Sequence, residues 1–350
     1  MARDLKRQGM ARIGRTRALA ALGLTALGLT ALGLTTLGAT ASPAHAADWK
    51  PTQSVLYTVP AGAGGSLDQA ARMIKSIAEK RGLIDKPIVI ENKPGGAGKI
   101  AIAPINLHPG DPHFLTVITY SLLTNHIMGA ADFTYTDHQP IAMLFGEYVT
   151  LSVNANSSVK DAQDLVARLK KDPTSLSIGI ATSIGNHIHV GATKPLKAAG
   201  VDISKLTVVP FRSSAESLTN LMGGHIDVMA ATTPNVLTQM KEGRIRVLAV
   251  ASPERLSGAL SSVPTWRDSG VDSTYNSAQG VMGAKGMPPE ALEYWTGLFR
   301  KVTQDPEWIA FVESRQWEPR FIDGSKLDAE LNEAYDETRT VLRDLGLSKR

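Results

Sequence analysis

The chain has 350 residues, contains no cysteine and carries a formal net charge of +4. The absence of cysteine excludes disulfide bonds and a lipid-anchored cysteine, so stability must come from apolar cores. Residues 1–46 contain six of the 37 Lys and Arg residues but one of the 33 Asp and Glu residues, which leaves 31 basic and 32 acidic residues in the remainder. A nearly neutral remainder excludes nucleic acid as a partner, because it lacks the positive field that such binding requires.

The first 46 residues predict a signal peptide. Six basic residues precede the uncharged run from Ala18 to Gly38, and Ala44-His45-Ala46 forms a small-x-small cleavage site. An uncleaved anchor helix is the alternative, but the Gly and Thr residues that recur through the run suit a permanent membrane span poorly. We therefore expect export to the periplasm, with cleavage after about Ala46.

Short β-branched runs alternate with helical patterns along the rest of the chain, which is typical of an α/β protein. The first pair is a strand over 54–59 and a helix over 67–81. Further strands are predicted over 87–91, 114–118, 141–144, 149–153, 176–180, 206–209, 226–230, 246–250 and 275–282. Later helices are predicted from the Pro288-Pro289 pair to 301, over 306–313 and over 327–345. The extended stretch 147–154 is the best candidate for a crossover between two α/β lobes, whose cleft would lie at the carboxyl ends of strands.

The first turn after a strand is rich in glycine and leads directly into a helix. It reads Val59-Pro60-Ala61-Gly62-Ala63-Gly64-Gly65-Ser66-Leu67-Asp68. Glycines let backbone amides approach a ligand, and a helix start favours an anion. Leu67 stands where a dinucleotide-binding fingerprint needs its third glycine, which excludes that motif. The alternative is a tight structural turn in which Asp68 caps its helix.

Two later turns resemble a phosphate loop and a serine-hydrolase turn. Asn92-Lys93-Pro94-Gly95-Gly96-Ala97-Gly98-Lys99-Ile100 lacks the Ser or Thr that a phosphate loop places after its lysine, which favours a structural turn. Ala181-Thr182-Ser183-Ile184-Gly185-Asn186-His187 is a near miss to the nucleophile elbow of serine hydrolases. The last histidine, His225, follows Ser183 too closely for that fold, so an anion site at Ser183 and Asn186 is the stronger hypothesis.

Two histidines, at the end of the last of these turns and just beyond it, argue against a metal site. His187 and His189 are two residues apart and point to different sides of a helix, unlike the spacing of zinc-binding helices. We expect no metal and no cofactor.

Asp227 opens a strand that leads to Thr232, and it matters for binding only if it lies near the other turns.

Taken together, the turns resemble those of the TctC-like solute receptors of tripartite tricarboxylate transporters, also called the Bug family. The family's first loop, Val-Pro-Phe-x-x-Gly-Gly-x-x-Asp-x-x-Ala-Arg, matches residues 59–72, and its Val-Glu-Asn-Arg-Pro-Gly-Ala-Gly-Gly matches residues 90–98. Further matches are Gly185 with His189, then Pro210-Phe211-Arg212-Ser213 and Met222-Gly223-Gly224-His225-Ile226-Asp227 as the two parts of one motif, then the stretch from Glu242 to Val250, and finally Val263-Pro264-Thr265. Six matches in order, over residues 51 to about 345, make the resemblance specific.

The resemblance implies a type II periplasmic binding protein, a monomer whose two lobes close on a small carboxylate and dock on the membrane permease subunits of a tripartite tricarboxylate transporter. We assign residues 47–150 and 276–350 to lobe 1 and residues 151–275 to lobe 2. One carboxylate would be held at the first and third turns, by Gly62, Gly64, Gly65, Ser66, Ser183, Gly185, Asn186 and His187. The distal pocket would be shaped by Asp68, Ser121, Asp227 and Thr232.

Departures from the family pattern concern the ligand. Ala61 replaces the usual aromatic residue and Leu67 replaces the usual Thr, while Ser213 and Ser214 stand where glycine is common. These changes argue against a citrate-like ligand. Two other functions remain open: an exported serine hydrolase that uses Ser183, and a solute sensor that serves signalling instead of uptake.

Overall fold

The computed structural model describes residues 49–350, and the signal peptide predicted over residues 1–46 lies outside the described residues. The described part contains ten strands and ten α-helices. The strands are β1 (Val55–Val59), β2 (Ile88–Asn92), β3 (Phe114–Thr119), β4 (Gln139–Asn154), β5 (Ser177–Ala181), β6 (Thr207–Phe211), β7 (Val228–Thr232), β8 (Ile245–Val250), β9 (Asn276–Gly283) and β10 (Glu318–Asp323). The helices are α1 (Ser66–Lys80), α2 (Lys99–Leu107), α3 (Tyr120–Ile127), α4 (Ala162–Lys171), α5 (His187–Ala198), α6 (Ser214–Met222), α7 (Leu237–Lys241), α8 (Pro289–Gln304), α9 (Pro306–Ser314) and α10 (Gly324–Asp344).

None of the helices within residues 49–350 combines the length and the apolar character needed to cross a bilayer. The strands form one sheet in the order β2-β1-β3-β9-β4-β7-β5-β6, and β8 and β10 also pair with β4. The outer strands on each side pair in parallel, as β1 does with β2 and β3 and β5 does with β6 and β7. The central strands β9 and β4 run antiparallel to their neighbours.

The long strand β4 belongs to both halves of this sheet. Its first part pairs with β9 and β10, and from Val149 onward it pairs with β7 and β8. We expected separate strands over 141–144 and 149–153, but Phe145, Gly146, Glu147 and Tyr148 are buried and continue the strand. The mainly helical end predicted after residue 282 also contains β10, which pairs with β4.

Helices cover the sheet and bury its apolar residues in large clusters. One cluster holds α1, α8 and α9 against β1 and the first part of β4, with Trp295, Trp308 and Phe299 at its centre. Another joins α4, α5 and α10 to β4 and β5. Helix α5 approaches the sheet closely at Gly191, where an added Cβ would lie 2.6 Å from Val149 and 2.5 Å from Tyr275.

Candidate ligand-binding cleft

Two adjoining cavities, of about 410 and about 760 Å³, lie at the carboxyl ends of β1, β3, β5 and β7. Their volumes fall within roughly 300–1,000 Å³, the usual range for small-molecule sites. They share Leu67, Thr119, Ser121, Thr182 and Asn186, and we call them together the cleft. Nine of the twelve residues predicted for the site line it: Gly62, Gly64, Gly65, Ser66, Ser121, Ser183, Asn186, His187 and Thr232. The other three, Asp68, Gly185 and Asp227, do not.

The turn between β1 and α1 brings an uncapped helix start to the cleft. Gly65 is the N-cap residue of α1, and among residues 49–350 no side chain accepts a hydrogen bond from the first amides of the helix. The backbone of Gly64 has a φ of 80°, a conformation that glycine adopts without strain. Backbone amides at such a helix start are suited to binding an anion.

Asp68 stabilises this turn from behind and takes no part in the cleft wall. Its carboxylate is 2% exposed and accepts hydrogen bonds from the Gly64 amide at 2.8 Å, from Arg72 Nε at 3.0 Å and from Asn92 Nδ2 at 3.0 Å. Burial disfavours the charged carboxylate, but the bonds from Arg72, Gly64 and Asn92 outweigh it and hold the pKa of Asp68 below its ordinary value. Asp68 thus holds the turn before α1 in position, whereas the sequence predicted it in the distal pocket.

Asn186 caps α5 with its own side chain. Its Oδ1 accepts hydrogen bonds from the amides of Ile188 at 3.1 Å and His189 at 3.0 Å, while its Nδ2 donates to the Ala181 carbonyl oxygen. Two of the amides that could have met an anion at this helix start are therefore already occupied. Asn186 still lines both cavities.

Gly185 serves close packing and does not line the cleft, although the sequence predicted it as part of the binding site. Its φ is 81°, and an added Cβ would lie 2.2 Å from Sδ of Met128. Its amide donates to Nδ1 of the buried His189 at 2.9 Å. Only glycine fits this backbone conformation and this approach to Met128 without a shift of the neighbours.

Ser121 and His187 meet where α3 and α5 begin. The Ser121 hydroxyl oxygen lies 3.2 Å from Nδ1 of His187, and burial lowers the pKa of His187 to about 4, so its imidazole is neutral at pH 7. Ser183 is exposed and lines the smaller cavity, but within residues 49–350 it forms no hydrogen bond to a histidine. The pairing of nucleophile and base that the hydrolase hypothesis requires is not formed there.

Asp227 and Thr232 lie at opposite ends of β7. Thr232 lines the larger cavity, whereas Asp227 precedes the strand and accepts hydrogen bonds from the amide and the hydroxyl of Ser177, at 2.8 and 2.7 Å. A strand of this length separates them by roughly 16 Å. Asp227 is therefore outside the cleft, contrary to the prediction.

Sequence reasoning missed a buried polar cluster formed by Glu147, Gln279 and Trp317, which all line the larger cavity. Gln279 Nε2 donates a hydrogen bond of 2.6 Å to Oε2 of Glu147, which is 3% exposed. Burial raises the pKa of Glu147 to about 7, against the lowering effect of hydrogen-bond donors on Ser66, Gln279 and Trp317. The acidic residue inside the apolar stretch of β4 was the signal that could have revealed the cluster.

Two arginines that line the cleft, Arg212 and Arg315, were also not predicted as site residues. The Arg212 side chain is 95% exposed, and Glu216 is its acidic neighbour at 3.9 Å. The Arg315 guanidinium donates two hydrogen bonds to Oε1 of Gln69, of 3.1 Å from Nε and 2.8 Å from Nη2, and it lies over the Phe311 ring. Both line the larger cavity together with the start of α1.

Comparison with known proteins agrees with this architecture. The model of a family described as "Tripartite tricarboxylate transporter family receptor" matches residues 70–347. The chain is similar to the "UPF0065 protein in gbd 5'region" of Cupriavidus necator, with 26% identity over 311 residues that cover 88% of this chain and 93% of that one.

Two solved structures share the fold. The periplasmic binding protein BugD superposes with a TM-score of 0.70 and 22% identity, covering 86% of this chain and 100% of BugD. Rpa4515 of R. palustris, solved with adipate, has a TM-score of 0.72 and 24% identity, covering 85% of this chain and 99% of its own. The predicted α/β fold of a two-lobed periplasmic binding protein is confirmed.

Proposed function

The chain belongs to the receptor family of tripartite tricarboxylate transporters, and from this premise we propose that it captures a small organic carboxylate in the periplasm for uptake by such a transporter. The observation that carries the proposal is the cleft itself. It joins the uncapped start of α1 to Arg212 and Arg315, so that backbone amides and two cations surround one region. Adipate, the ligand of Rpa4515, belongs to the same chemical class.

In this proposal the ligand carboxylate binds at the turn that contains Gly64, Gly65 and Ser66. Ser121, Ser183 and His187 line the cleft from the facing turns and contribute hydroxyl, imidazole or backbone groups, some of them through bound water. Lobe 1 (residues 47–150 and 276–350) and lobe 2 (residues 151–275) close on the ligand. Closure excludes water and strengthens the polar contacts.

The proposal extends to location and partners. The signal peptide is cleaved after about Ala46, the mature protein acts as a monomer in the periplasm, and the ligand-bound form docks on membrane permease subunits. Amino-terminal sequencing of the protein recovered from a periplasmic fraction tests the cleavage and should find Ala47 first. Recovery of uncleaved chain from the membrane would contradict export as a soluble receptor.

The experiment that tests the function is calorimetric titration of the mature protein with mono-, di- and tricarboxylates, with sugars and divalent metals as comparison solutes. At least one carboxylate should bind and raise the melting temperature, because a ligand that binds only the folded state stabilises it. The variant that combines Arg212→Gln and Arg315→Gln should bind that carboxylate about tenfold more weakly. Arg244→Gln, a change at an exposed arginine outside the cleft, is the matched control. Binding of sugars or metals with no carboxylate bound would overturn the proposal.

A further inference from the structure

Two buried oxygen atoms in the cleft accept no hydrogen bond of normal geometry. Oε2 of Glu147 accepts the bond from Gln279, but among the described residues no such bond reaches Oε1 of Glu147 or Oε1 of Gln279. Ser66 and Trp317 lie near the carboxyl, yet Nε1 of Trp317 is itself without a partner. Both residues are at least nine-tenths buried and line the larger cavity. Buried acceptors without donors are rare in folded proteins, and in a cavity they mark a place for a bound water, ion or ligand.

The cluster also lacks a cation. The groups that face the Glu147 carboxyl are Ser66 from α1, Gln279 from β9 and Trp317 beside β10. Ser277 is the cross-strand partner of Glu147 in β9. The charged or titratable groups of the same cavity are Arg212, Arg315 and His187. Arg315 is bonded to Gln69, Arg212 lies beside Glu216, and His187 is neutral at pH 7. Within residues 49–350, no cationic side chain pairs with Glu147.

A buried carboxylate is stable only when it is paired and hydrogen-bonded. We infer that the ligand supplies the missing partner: it carries a protonated amine that binds Oε1 of Glu147 and Oε1 of Gln279. This inference rests on the proposed function and narrows the ligand class to amino carboxylates. An ammonium group has three N–H donors and can serve both oxygens, whereas a hydroxyl has one donor and a carboxylate has none.

The inference gives two neighbouring parts of the cleft opposite character, because Ser66 at the start of α1 also faces Glu147. The start of α1 with Arg212 and Arg315 takes the ligand carboxylate, and the Glu147 cluster takes the amine. The ligand would then be zwitterionic, which agrees with a cleft that contains both cations and an acid. The competing arrangement, in which Glu147 stays protonated and donates to a second ligand carboxylate, predicts the opposite dependence on pH.

The test compares ligands that differ at one end. The unmodified protein is titrated with γ-aminobutyrate, γ-hydroxybutyrate and succinate, and then with longer members of each series, below and above neutral pH. For at least one chain length of the ligand, the amine should bind about tenfold more tightly than the hydroxyl and carboxylate compounds of the same length. Its affinity should rise with pH as Glu147 ionises. Because this comparison uses the unmodified protein, it does not depend on the folding of a variant.

Glu147→Gln keeps the size of the side chain and removes its charge. It should lower the affinity for the preferred amine about tenfold and leave plain carboxylates within about twofold. Glu242→Gln, at an exposed site outside the cleft, is the matched control.

Four results would overturn the inference. Equal binding of amine and dicarboxylate, or undiminished amine binding by Glu147→Gln, would remove the amine site and leave carboxylate capture intact. Succinate binding that weakens as pH rises, and that becomes independent of pH in Glu147→Gln because the amide donates as the protonated acid does, would establish the protonated-donor arrangement. If no carboxylate of any kind binds, the proposed function itself fails and the inference fails with it.

Discussion

Nε2 of Gln279 and Oε2 of Glu147 lie 2.6 Å apart, and this hydrogen bond joins β9 to β4 inside the cleft. One residue beyond Glu147, Tyr148 makes the last pair with β9, and from Val149 the strand pairs with β7 and β8. The contact therefore lies where β4 passes from one half of the sheet to the other. A ligand that binds Glu147 would act at the strand that connects the two halves.

Replacing Glu147 by Gln should change how the stability of the ligand-free protein depends on pH. The pKa of Glu147 rises from 4.5 to about 7 on burial, so the folded state holds this proton more tightly than the unfolded chain does. The free energy of unfolding should therefore fall by about 3 kcal/mol as pH rises from 4.5 to 7, and Glu147→Gln should not show this loss. Urea denaturation of both proteins across this range provides the measurement.

His187 and His189 act in the opposite direction in the same experiment. Burial lowers the pKa of each from 6.5 to about 4, so their contribution to stability is present above pH 6.5 and is lost as pH falls toward 4. Both histidines are unchanged in Glu147→Gln, and the difference between the two proteins isolates the glutamate. Parallel curves for the variant and the unmodified protein would show that Glu147 does not carry the effect.

Asp68→Ala should weaken both the fold and ligand binding. It leaves the Gly64 amide without an acceptor and removes one of the two acceptors of Asn92 Nδ2, which keeps the Ala61 carbonyl oxygen; we expect this to cost roughly 2 kcal/mol of unfolding free energy. Ligand affinity should fall as well, because the turn before α1 loses its support. Asp132→Ala is the control: its pairing with Lys99 involves a side chain that is 77% exposed, so we expect a cost below about 0.5 kcal/mol. An equal effect of the two substitutions would argue against the positioning contact.

Gly185→Ala should destabilise the protein more than Gly224→Ala. Both glycines have a positive φ, which alone costs roughly 1–2 kcal/mol for alanine. Gly224 has no atom within 4 Å of an added Cβ, whereas at Gly185 that Cβ would lie 2.2 Å from Sδ of Met128. Thermal denaturation of the two variants measures the difference. Adding Met128→Ala to Gly185→Ala should recover part of the loss, and no recovery would mean that Met128 is not the obstacle.

Arg212→Gln should slow ligand association in dilute buffer. The side chain is 95% exposed at the edge of the cleft, where a charge attracts an anionic group at long range. We expect a severalfold lower association rate constant at low ionic strength, and a difference that vanishes in high salt because surface charges are screened. Stopped-flow measurements of the association rate constant at low and high ionic strength provide the test, and Arg244→Gln is the control. A rate constant unchanged at every salt concentration would exclude a role in attraction.

The sequence by itself determined the local features of the cleft. A glycine-rich turn between a strand and a helix has the same chemistry in any α/β protein, so the turns at Gly62–Ser66 and Ser183–His187 could be identified from residue order. Strand and helix alternation likewise predicted the fold class, because it reflects short-range periodicity. The apparent positive charge could be traced to the first 46 residues by counting alone.

Tertiary structure decided which polar groups remain free for a ligand. Glu147 and Gln279 are 132 residues apart and meet only because β4 and β9 pair. Asp68 and Asn186 stand in binding turns, yet internal partners occupy their side-chain oxygens, and Asp227 lies at the far end of β7. A side chain's type specifies which hydrogen bonds it can form, but long-range packing selects its partner. The oxygens that packing left without a partner include one of Glu147 and one of Gln279, both in the cleft.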